Sequence, residues 1–322
     1  MKQIVVTGAA GFIGSNLCER LLTEFGCEVI GIDNFDPFYP RELKEQNLSR
    51  LTRYPKFHFI EGDIRAIKKL GIVAKDVELV IHMAAKAGVR PSIENAAEYA
   101  SVNIIGTISV LEWMKDSGIK KLIFASSSSV YGNNKKVPFS ESDNVDFPVS
   151  PYAASKKSAE LFTHTYHHLY KIDVLNLRFF TVYGPGQRPD LAIHKFTKNI
   201  YGKLPIEMYG DGSTSRDYTY VDDIVDGVVK AKKYILENNG VYKTINIGNH
   251  TPVALRELLD KLRKVSGKDF KVNQLPSQPG DVEITYADIQ KARQLLNYSP
   301  AVDFEEGLRT FIEYYEKTFL HH

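Results

Sequence analysis

Three groups of residues in this chain have the types and spacing for chemistry. Tyr152 and Lys156 stand four apart in the run Ser150-Pro151-Tyr152-Ala153-Ala154-Ser155-Lys156. Ser150 can cap a helix and Pro151 suits its first turn, so phenol and ammonium are expected on one helix face. An ammonium beside a phenol favours the phenolate, and a group that normally ionises near ~10 can then act as a base close to neutrality. The same pair also fits an amphipathic helix with a packed Tyr and an exposed Lys. Ser126-Ser127-Ser128-Ser129-Val130-Tyr131-Gly132 follows an apolar run ending at Ala125. At the C-terminal end of a parallel strand such a segment faces the ligand crevice. Ser127 is the residue expected to hydrogen-bond the same substrate oxygen as Tyr152.

The third group is Thr7-Gly8-Ala9-Ala10-Gly11-Phe12-Ile13-Gly14. Gly8 permits a tight turn, Gly11 a close approach of backbone to a pyrophosphate, and Gly14 close packing of helix on sheet. The helix that opens here offers free N–H groups to phosphate. Asp33 lies about 20 residues further on, where a carboxylate would accept the ribose hydroxyls and repel a 2′-phosphate. This favours NAD over NADP. Asp63, at the end of the third apolar run, either lines the adenine or caps the helix that follows.

The elements that must position these groups can be read from periodicity. Ile4–Thr7, Glu28–Ile32, Phe57–Ile60, Leu79–His82, Leu122–Ala125 and Val174–Leu177 read as strands, with helical patterns such as Phe12–Phe25 between them. Such alternation predicts a doubly wound parallel α/β sheet of Rossmann type. Beyond residue 180, Pro185, Gly186, Pro189, Pro205, Gly210 and Gly212 punctuate shorter elements. Helices are expected at Val221–Leu236, Val253–Val265 and Phe304–Phe319, and a strand at Thr244–Ile247. The expected division is a dinucleotide-binding domain over 1–180 and a smaller α/β substrate lobe over 181–322, partly interleaved with the sheet.

Composition bounds the partners. The 322 residues carry 41 Lys and Arg against 39 Asp and Glu, a net charge of +2 that gives no field for nucleic acid or an anionic membrane. No run approaches the roughly 18 apolar residues of a membrane span, and the N-terminus does not read as a secretory signal. Cys18 and Cys27 are too few for a disulfide framework or a cysteine-based zinc site. A cytoplasmic location without a metal is expected.

The glycine run, Asp63, His82-Met83-Ala84-Ala85, Asn103, the serine run and Tyr152 to Lys156 together resemble the extended short-chain dehydrogenase/reductase family over nearly the whole chain. The chain is most similar to its nucleotide-sugar epimerase branch, and there to bacterial UDP-glucuronate 4-epimerases. That likeness is carried by Lys86-Ala87-Gly88-Val89-Arg90, Arg178 to Pro185, Arg188-Pro189-Asp190, Arg216-Asp217-Tyr218 and Gln278-Pro279-Gly280-Asp281-Val282. The resemblance implies NAD as a retained cofactor, held by Gly8, Gly11, Phe12, Ile13, Gly14, Asp33, Asn34, Asp63, Ile64, Ala84, Ala85, Lys86, Asn103, Ser126, Tyr152, Lys156 and Phe180. It implies that Tyr152, Lys156 and Ser127 perform the acid–base work of a C4 epimerisation through a 4-keto sugar.

The resemblance also assigns the substrate end. Arg188 and Arg216 would meet the diphosphate, while Arg90, Lys195, Tyr209, Gln278 and Asp281 lie in segments around the UDP-sugar. Many family members have Arg where Gln278 stands. Neutral-sugar epimerases commonly carry Asn at the position of Thr181. Here Thr181, Ser128 and Ser129 offer small hydroxyls to a C6 carboxylate, unless the serines only hold their loop. Related decarboxylases and 4,6-dehydratases place acidic residues just before Val-Tyr-Gly, where this chain has Ser128 and Ser129. Thr285 aligns with a position that gates substituent size. UDP-glucuronate, interconverted with UDP-galacturonate, is the expected substrate, and UDP-glucose or UDP-N-acetylglucosamine is the alternative. A regulatory protein on the same fold and a net oxidoreductase are the other readings. Apolar stripes around Asn95–Trp113 and Ala153–Tyr170 match the family's homodimeric four-helix bundle, or else face the chain's own sheet.

Overall fold

The structure is a computed structural model that describes residues 2–276 and 282–320. The six expected strands are β1 (Gln3–Thr7), β2 (Glu28–Asp33), β3 (Phe57–Glu61), β4 (Val77–His82), β5 (Lys121–Ser127) and β6 (Asp173–Phe179). Between them lie α1 (Phe12–Thr23), α2 (Arg41–Ser49), α3 (Val89–Glu94), α4 (Ala96–Tyr99), α5 (Gly106–Asp116) and α6 (Pro151–Tyr170). The later half adds β7 (Thr181–Tyr183), α7 (Ala192–Tyr201), β8 (Ile206–Tyr209), β9 (Ser215–Tyr220), α8 (Val221–Glu237) and β10 (Tyr242–Ile247). It ends with β11 (Pro252–Ala254), α9 (Leu255–Ser266), β12 (Val272–Leu275), α10 (Gln290–Leu296) and α11 (Phe304–Phe319).

Seven strands form one parallel sheet in the order β3-β2-β1-β4-β5-β6-β10. The period-2 alternation of a strand buried on both sides is plain in β1. Ile4 and Val6 join Leu17 and Leu21 of α1 on one face, and Val5 joins Val110 and Leu111 of α5 on the other. The chain winds outward from β1 through β2 to β3, then returns to β4 on the other side of β1. That reversal opens a crevice at the C-terminal ends of β1 and β4. Strand β10 extends the sheet beside β6, and α8 packs on α1, β5 and β6, so residues beyond 180 complete the sheet. The rest of that half builds a three-stranded sheet, β11-β9-β7, and a β12-β8 pair over the crevice.

Two departures from the periodic reading have physical causes. The helix expected from Val253 begins at Leu255, because Pro252–Ala254 pairs antiparallel with Ser215–Asp217 of β9. Tertiary pairing overrides local helix propensity there. The expected helix over Asn95–Trp113 is broken by a π-helical segment, Ala100–Ile105, between α4 and α5. The predicted cap of α6 is present: Ser150 accepts the Ala153 N–H at 3.1 Å, and Pro151 opens the first turn. Among the described residues no helix is long and apolar enough to cross a membrane.

Strand β4 ends in a buried imidazole with a directional hydrogen-bond chain. Thr107 donates to the Asn103 carbonyl at 2.6 Å, so its oxygen must accept from His82 Nε2 at 3.1 Å. His82 Nδ1 then accepts from Thr7 Oγ1 at 2.7 Å, and Thr7 Oγ1 accepts the Ala84 N–H at 3.1 Å. Desolvation, with Lys156 as a second cause, holds the His82 pKa down to about 3. The unfolded chain therefore takes up a proton below ~6.5 that the folded chain refuses, and stability contributed by neutral His82 is lost as pH falls. Between pH 7 and pH 5 this loss is about 2 kcal/mol. Thermal melts over that range should show a fall that is smaller in His82→Gln, and an unchanged slope in the variant would contradict the assignment.

Candidate active site

The crevice is a cleft of about 720 Å³, within the range of small-molecule sites. Its floor is the glycine loop. Gly8 takes φ +73°, and the N–H groups of Gly8 and Ala9 both donate to the Ile32 carbonyl, at 2.7 and 3.1 Å. A Cβ on Gly8 would stand 2.9 Å from the Ala84 nitrogen, and one on Gly14 would collide with the Gly8 carbonyl. No side chain caps α1, whose N-cap is Gly11, so its positive end opens on the cleft. Phe12 and Ile13 line the cleft beside the three glycines.

The ribose and adenine positions expected from the sequence lie along one wall. Buried Asp33 accepts the Ala10 N–H at 3.1 Å and the Phe35 N–H at 2.9 Å, tying the end of β2 to the glycine loop. Desolvation raises its pKa, against those hydrogen bonds and the charge of Lys44. Asn34 donates to Asp63 at 3.2 Å. Asp63 also accepts the Arg65 N–H at 2.8 Å, capping the turn Ile64–Lys69, and takes the Arg65 guanidinium, which lowers its pKa. The two readings of Asp63 coexist, since it both caps and borders the cleft, as do Ile64, Ala84 and Ala85.

Lys86 and Asn103, expected to contact the cofactor, stand next in sequence to the cleft-lining Ala85, Ala87 and Val102. Buried Asn103 accepts the Lys86 N–H at 2.8 Å and donates to the Lys86 carbonyl and Ser155 Oγ, both at 2.9 Å. The Lys86 ammonium is drawn to Glu98 at 2.9 Å and to Asp36 at 3.5 Å. These two residues brace the loop after β4 and tie it to α6.

The acid–base residues meet where β5 ends against α6. Ser127 lies beside the Tyr152 phenol, close enough to act on its ionisation, while its hydroxyl donates to Ser129 Oγ at 3.1 Å. Burial raises the Tyr152 pKa, while Ser127 and the Arg188 charge act to lower it. Lys156 is almost wholly buried and its Nζ donates to the Ala125 carbonyl at 2.7 Å. Desolvation brings its pKa down to about 7, opposed by Glu160. The Arg188 charge also acts on the phenol, and the deeply buried Lys156 ammonium finds its acceptor on β5. Ser126 lines the cleft, but its hydroxyl donates to Glu160 at 2.6 Å. Ser129 N–H donates to Ser127 Oγ at 3.2 Å, so the serine run also holds its own turn.

Across from this pair, Ser128, Ser129, Phe180 and Thr181 line the cleft, with Thr181 fixed at the start of β7 opposite Tyr218 of β9. Thr285 lines it too, and its hydroxyl accepts the Asp217 N–H at 3.0 Å. Arg188 forks onto Asp190 at 2.9 and 2.8 Å, with its guanidinium over Phe38. Arg216 donates to the Ser215 carbonyl at 2.9 Å and borders the cleft. Arg90 of α3 lies 5.3 Å from the Tyr209 ring centroid, so the two halves meet across the cleft. Tyr209 donates to Glu207 at 3.3 Å, and Lys195 is 3.9 Å from the same carboxylate. Gln278 and Asp281 lie outside the described residues.

Sequence reasoning missed Lys44. This buried lysine of α2 lines the cleft near Asp33, donates to the Asp36 carbonyl at 2.7 Å, and stands over the Tyr39 ring. Burial lowers its pKa. No spacing signal marked it, because the loop through Asp36 and Tyr39 buries it only on folding. Glu207 was missed for a related reason: Tyr209 shares its strand β8, but Lys195 comes to it from α7.

The family model described as GDP-mannose 4,6 dehydratase matches residues 5–311. A UDP-glucuronate 4-epimerase of Thermodesulfobacterium geofontis is 43% identical over 317 residues, which is 98% of this chain and 96% of that protein. The UDP-glucuronic acid 4-epimerase of Bacillus cereus, solved in complex with UDP-glucuronic acid and NAD, is similar with a TM-score of 0.91 at 39% identity, covering 98% of this chain and 100% of that one. The UDP-glucose 4-epimerase of Thermotoga maritima, solved with UDP-glucose, has a TM-score of 0.87 at 33% identity, covering 98% and 99%. The matched range spans the glycine loop, the serine strand end and the Tyr–Lys helix, and on these grounds the chain belongs to the extended short-chain dehydrogenase/reductase family described as GDP-mannose 4,6 dehydratase, together with the UDP-glucuronate 4-epimerases.

Proposed function

We propose that this chain inverts C4 of UDP-glucuronate to give UDP-galacturonate, using NAD as a resident cofactor and passing through a 4-keto sugar. One observation carries the reading: Tyr152 and Ser127, neighbours at the start of α6 and the end of β5, open on the same cleft as a glycine cradle whose backbones pack too closely for a Cβ on Gly8 or Gly14. The cradle fits a dinucleotide, since backbone N–H groups and a helix terminus face the pyrophosphate position, and the Asp33 carboxylate meets a ribose without a 2′-phosphate. When bound, NAD supplies a hydride acceptor that gives the hydride back.

The chain's own residues do the rest. Tyr152 Oη takes the 4-hydroxyl proton and later returns it, Ser127 hydrogen-bonds the same oxygen, and Lys156 and Arg188 keep the phenol's surroundings positive. Arg216 and Arg188 hold the diphosphate while the sugar turns to present its other face. A guanidinium suits that task because its fork donates in pairs. Ser128, Ser129 and Thr181 donate to the C6 carboxylate, and the lack of an acidic side chain at Ser128 and Ser129 spares the 4-keto acid a proton-transfer partner for decarboxylation. Arg90 over Tyr209 closes the uridine end. The functional division is a cofactor part, 1–180, and a substrate part, 181–322; it is not a break in packing, because β10 and α8 belong to the sheet.

The proposal includes a homodimer. Ile105, Leu161 and Leu169 on α6 and the turn before α5 are each more than half exposed. Apolar stripes of this kind pair well across a two-fold axis into a four-helix bundle. A cytoplasmic setting is part of the same proposal, and the free thiols Cys18 and Cys27 are compatible with it.

Three experiments test the reading. Incubated separately with UDP-glucuronate, UDP-glucose and UDP-N-acetylglucosamine and followed by NMR, the protein should epimerise the glucuronate. Turnover of the neutral sugars alone would support the UDP-glucose type instead. Tyr152→Phe should lower kcat at least about a hundredfold with UDP binding retained, and full activity would refute the acid–base assignment. Leu161→Glu with Leu169→Glu should convert a dimer to a monomer in analytical ultracentrifugation; an unchanged sedimentation coefficient would place the interface elsewhere.

A further inference from the structure

Three consecutive residues of β5 each meet a successive turn of α6. Ser127 neighbours Tyr152, the Ala125 carbonyl accepts Lys156 Nζ, and Ser126 Oγ donates to Glu160. The first two contacts belong to the acid–base chemistry. The third does not, yet it is the most elaborately supported. Glu160 Oε1 also accepts Arg178 Nε at 2.9 Å, and Oε2 accepts Arg178 NH2 at 2.8 Å. Both side chains are 4% exposed. Arg178 sits on β6 directly beside Ser126 in register, with its guanidinium 4.9 Å from the Tyr131 ring centroid.

A buried ion pair is weak evidence for stability, because desolvation offsets much of its attraction, and apolar pairs of similar volume often replace it without loss. Its geometry here is specific to the end of β5. From it we propose that Glu160, held by Arg178, is a positioning residue that fixes Ser126 and thereby aligns the neighbouring Ser127 with Tyr152. Strand β5 alternates its side chains, so Ser126 and Ser127 point to opposite faces. Holding Ser126 against α6 sets the rotation of the strand end about its axis, and with it the direction of the Ser127 hydroxyl. A misplacement of about 1 Å at such a contact can cost a hundredfold in rate. The network reaches further: Tyr131 donates to Asn246 at 2.6 Å, and Asn246 donates to the Phe139 and Asp288 carbonyls at 2.8 and 3.1 Å. The strand end is thereby linked to the segment that follows Thr285.

The inference rests on the acid–base reading of Tyr152 and Ser127 above, and the test separates the two. In Glu160→Met/Arg178→Met the paired charges leave together and the clamp on Ser126 is gone; the Glu160 charge that supports protonated Lys156 is lost in this variant and in the Gln/Met variant alike. We expect a melting temperature within a few degrees of wild type, a KM for UDP-glucuronate within about twofold, and a kcat lower by roughly ten- to a hundredfold. In Glu160→Gln/Arg178→Met the amide still accepts from Ser126, and most of kcat should return. Wild-type kcat in the Met/Met variant, or equal kcat in the two double variants, overturns the proposal. Should the Met/Met variant fail to fold, Ser126→Ala removes the same bond with both charges kept. It should lower kcat about tenfold at constant KM, and an unchanged kcat overturns the proposal. Tyr152→Phe runs alongside: if it is fully active, or if wild type does not turn over UDP-glucuronate, the acid–base reading fails and the positioning role with it. If wild type is active, Tyr152→Phe is not and Met/Met matches wild type, the positioning role alone fails.

Discussion

The close approach of three backbones at the switch point between β1 and β4 governs what the rest of the molecule can do. The loop at Gly8, the start of α1 at Gly14 and the chain after β4 at Ala84 are packed so tightly that no Cβ fits on either glycine. Only at this reversal does a parallel sheet part its crossover helices, and only without side chains can the peptide N–H groups reach a phosphate there. Buried polar contacts hold the approach in place. Asp33 ties the loop to β2, and the Ala84–Thr7–His82–Thr107–Asn103 chain ties it to the π-helical segment before α5. Asn103 carries that tie on to Lys86 and, through Ser155, to the helix bearing Tyr152. A π-helical segment at this point agrees with the tendency of such segments to mark functional sites.

From this frame the electrostatics of the cleft follow. Lys156, Arg188 and Arg216 come from separate elements onto one cavity, in a chain whose overall charge is only +2. Each makes a local contact: Lys156 with a carbonyl, Arg188 with Asp190, Arg216 with the Ser215 carbonyl. Lys156 titrates near 7 because burial disfavours its charge, and a ligand that brings negative charge to the cleft favours the protonated form. The site suits a substrate with two anionic groups, held at its diphosphate and bearing a carboxylate at the far end.

Much of the fold was legible because it rests on local signals. The six β-branched runs, the glycine spacing and the Ser150-Pro151 helix start each act within a few residues, and all six strands and the cap are where periodicity put them. Short strands β7, β8, β9, β11 and β12 were not legible, since none is a continuous apolar run and their pairing partners are distant in sequence. The same reason hid Lys44 and Glu207. Spacing gave Lys156 and Tyr152 a shared helix face, but the Ala125 carbonyl that the ammonium meets depends on how deep the helix sits. The hydrogen bonds that join Asn103 to Lys86 were not legible either, since a motif marks a neighbourhood and not which atoms pair.

The central claim is that one Tyr-assisted centre oxidises C4 and reduces it again without releasing its hydrogen. The most direct measurement is an NMR spectrum of the product formed from UDP-glucuronate in D₂O. The account predicts UDP-galacturonate whose C4 position carries protium, because the hydride returned is the one removed. Deuterium at C4, or a product epimerised at any other carbon, would contradict it.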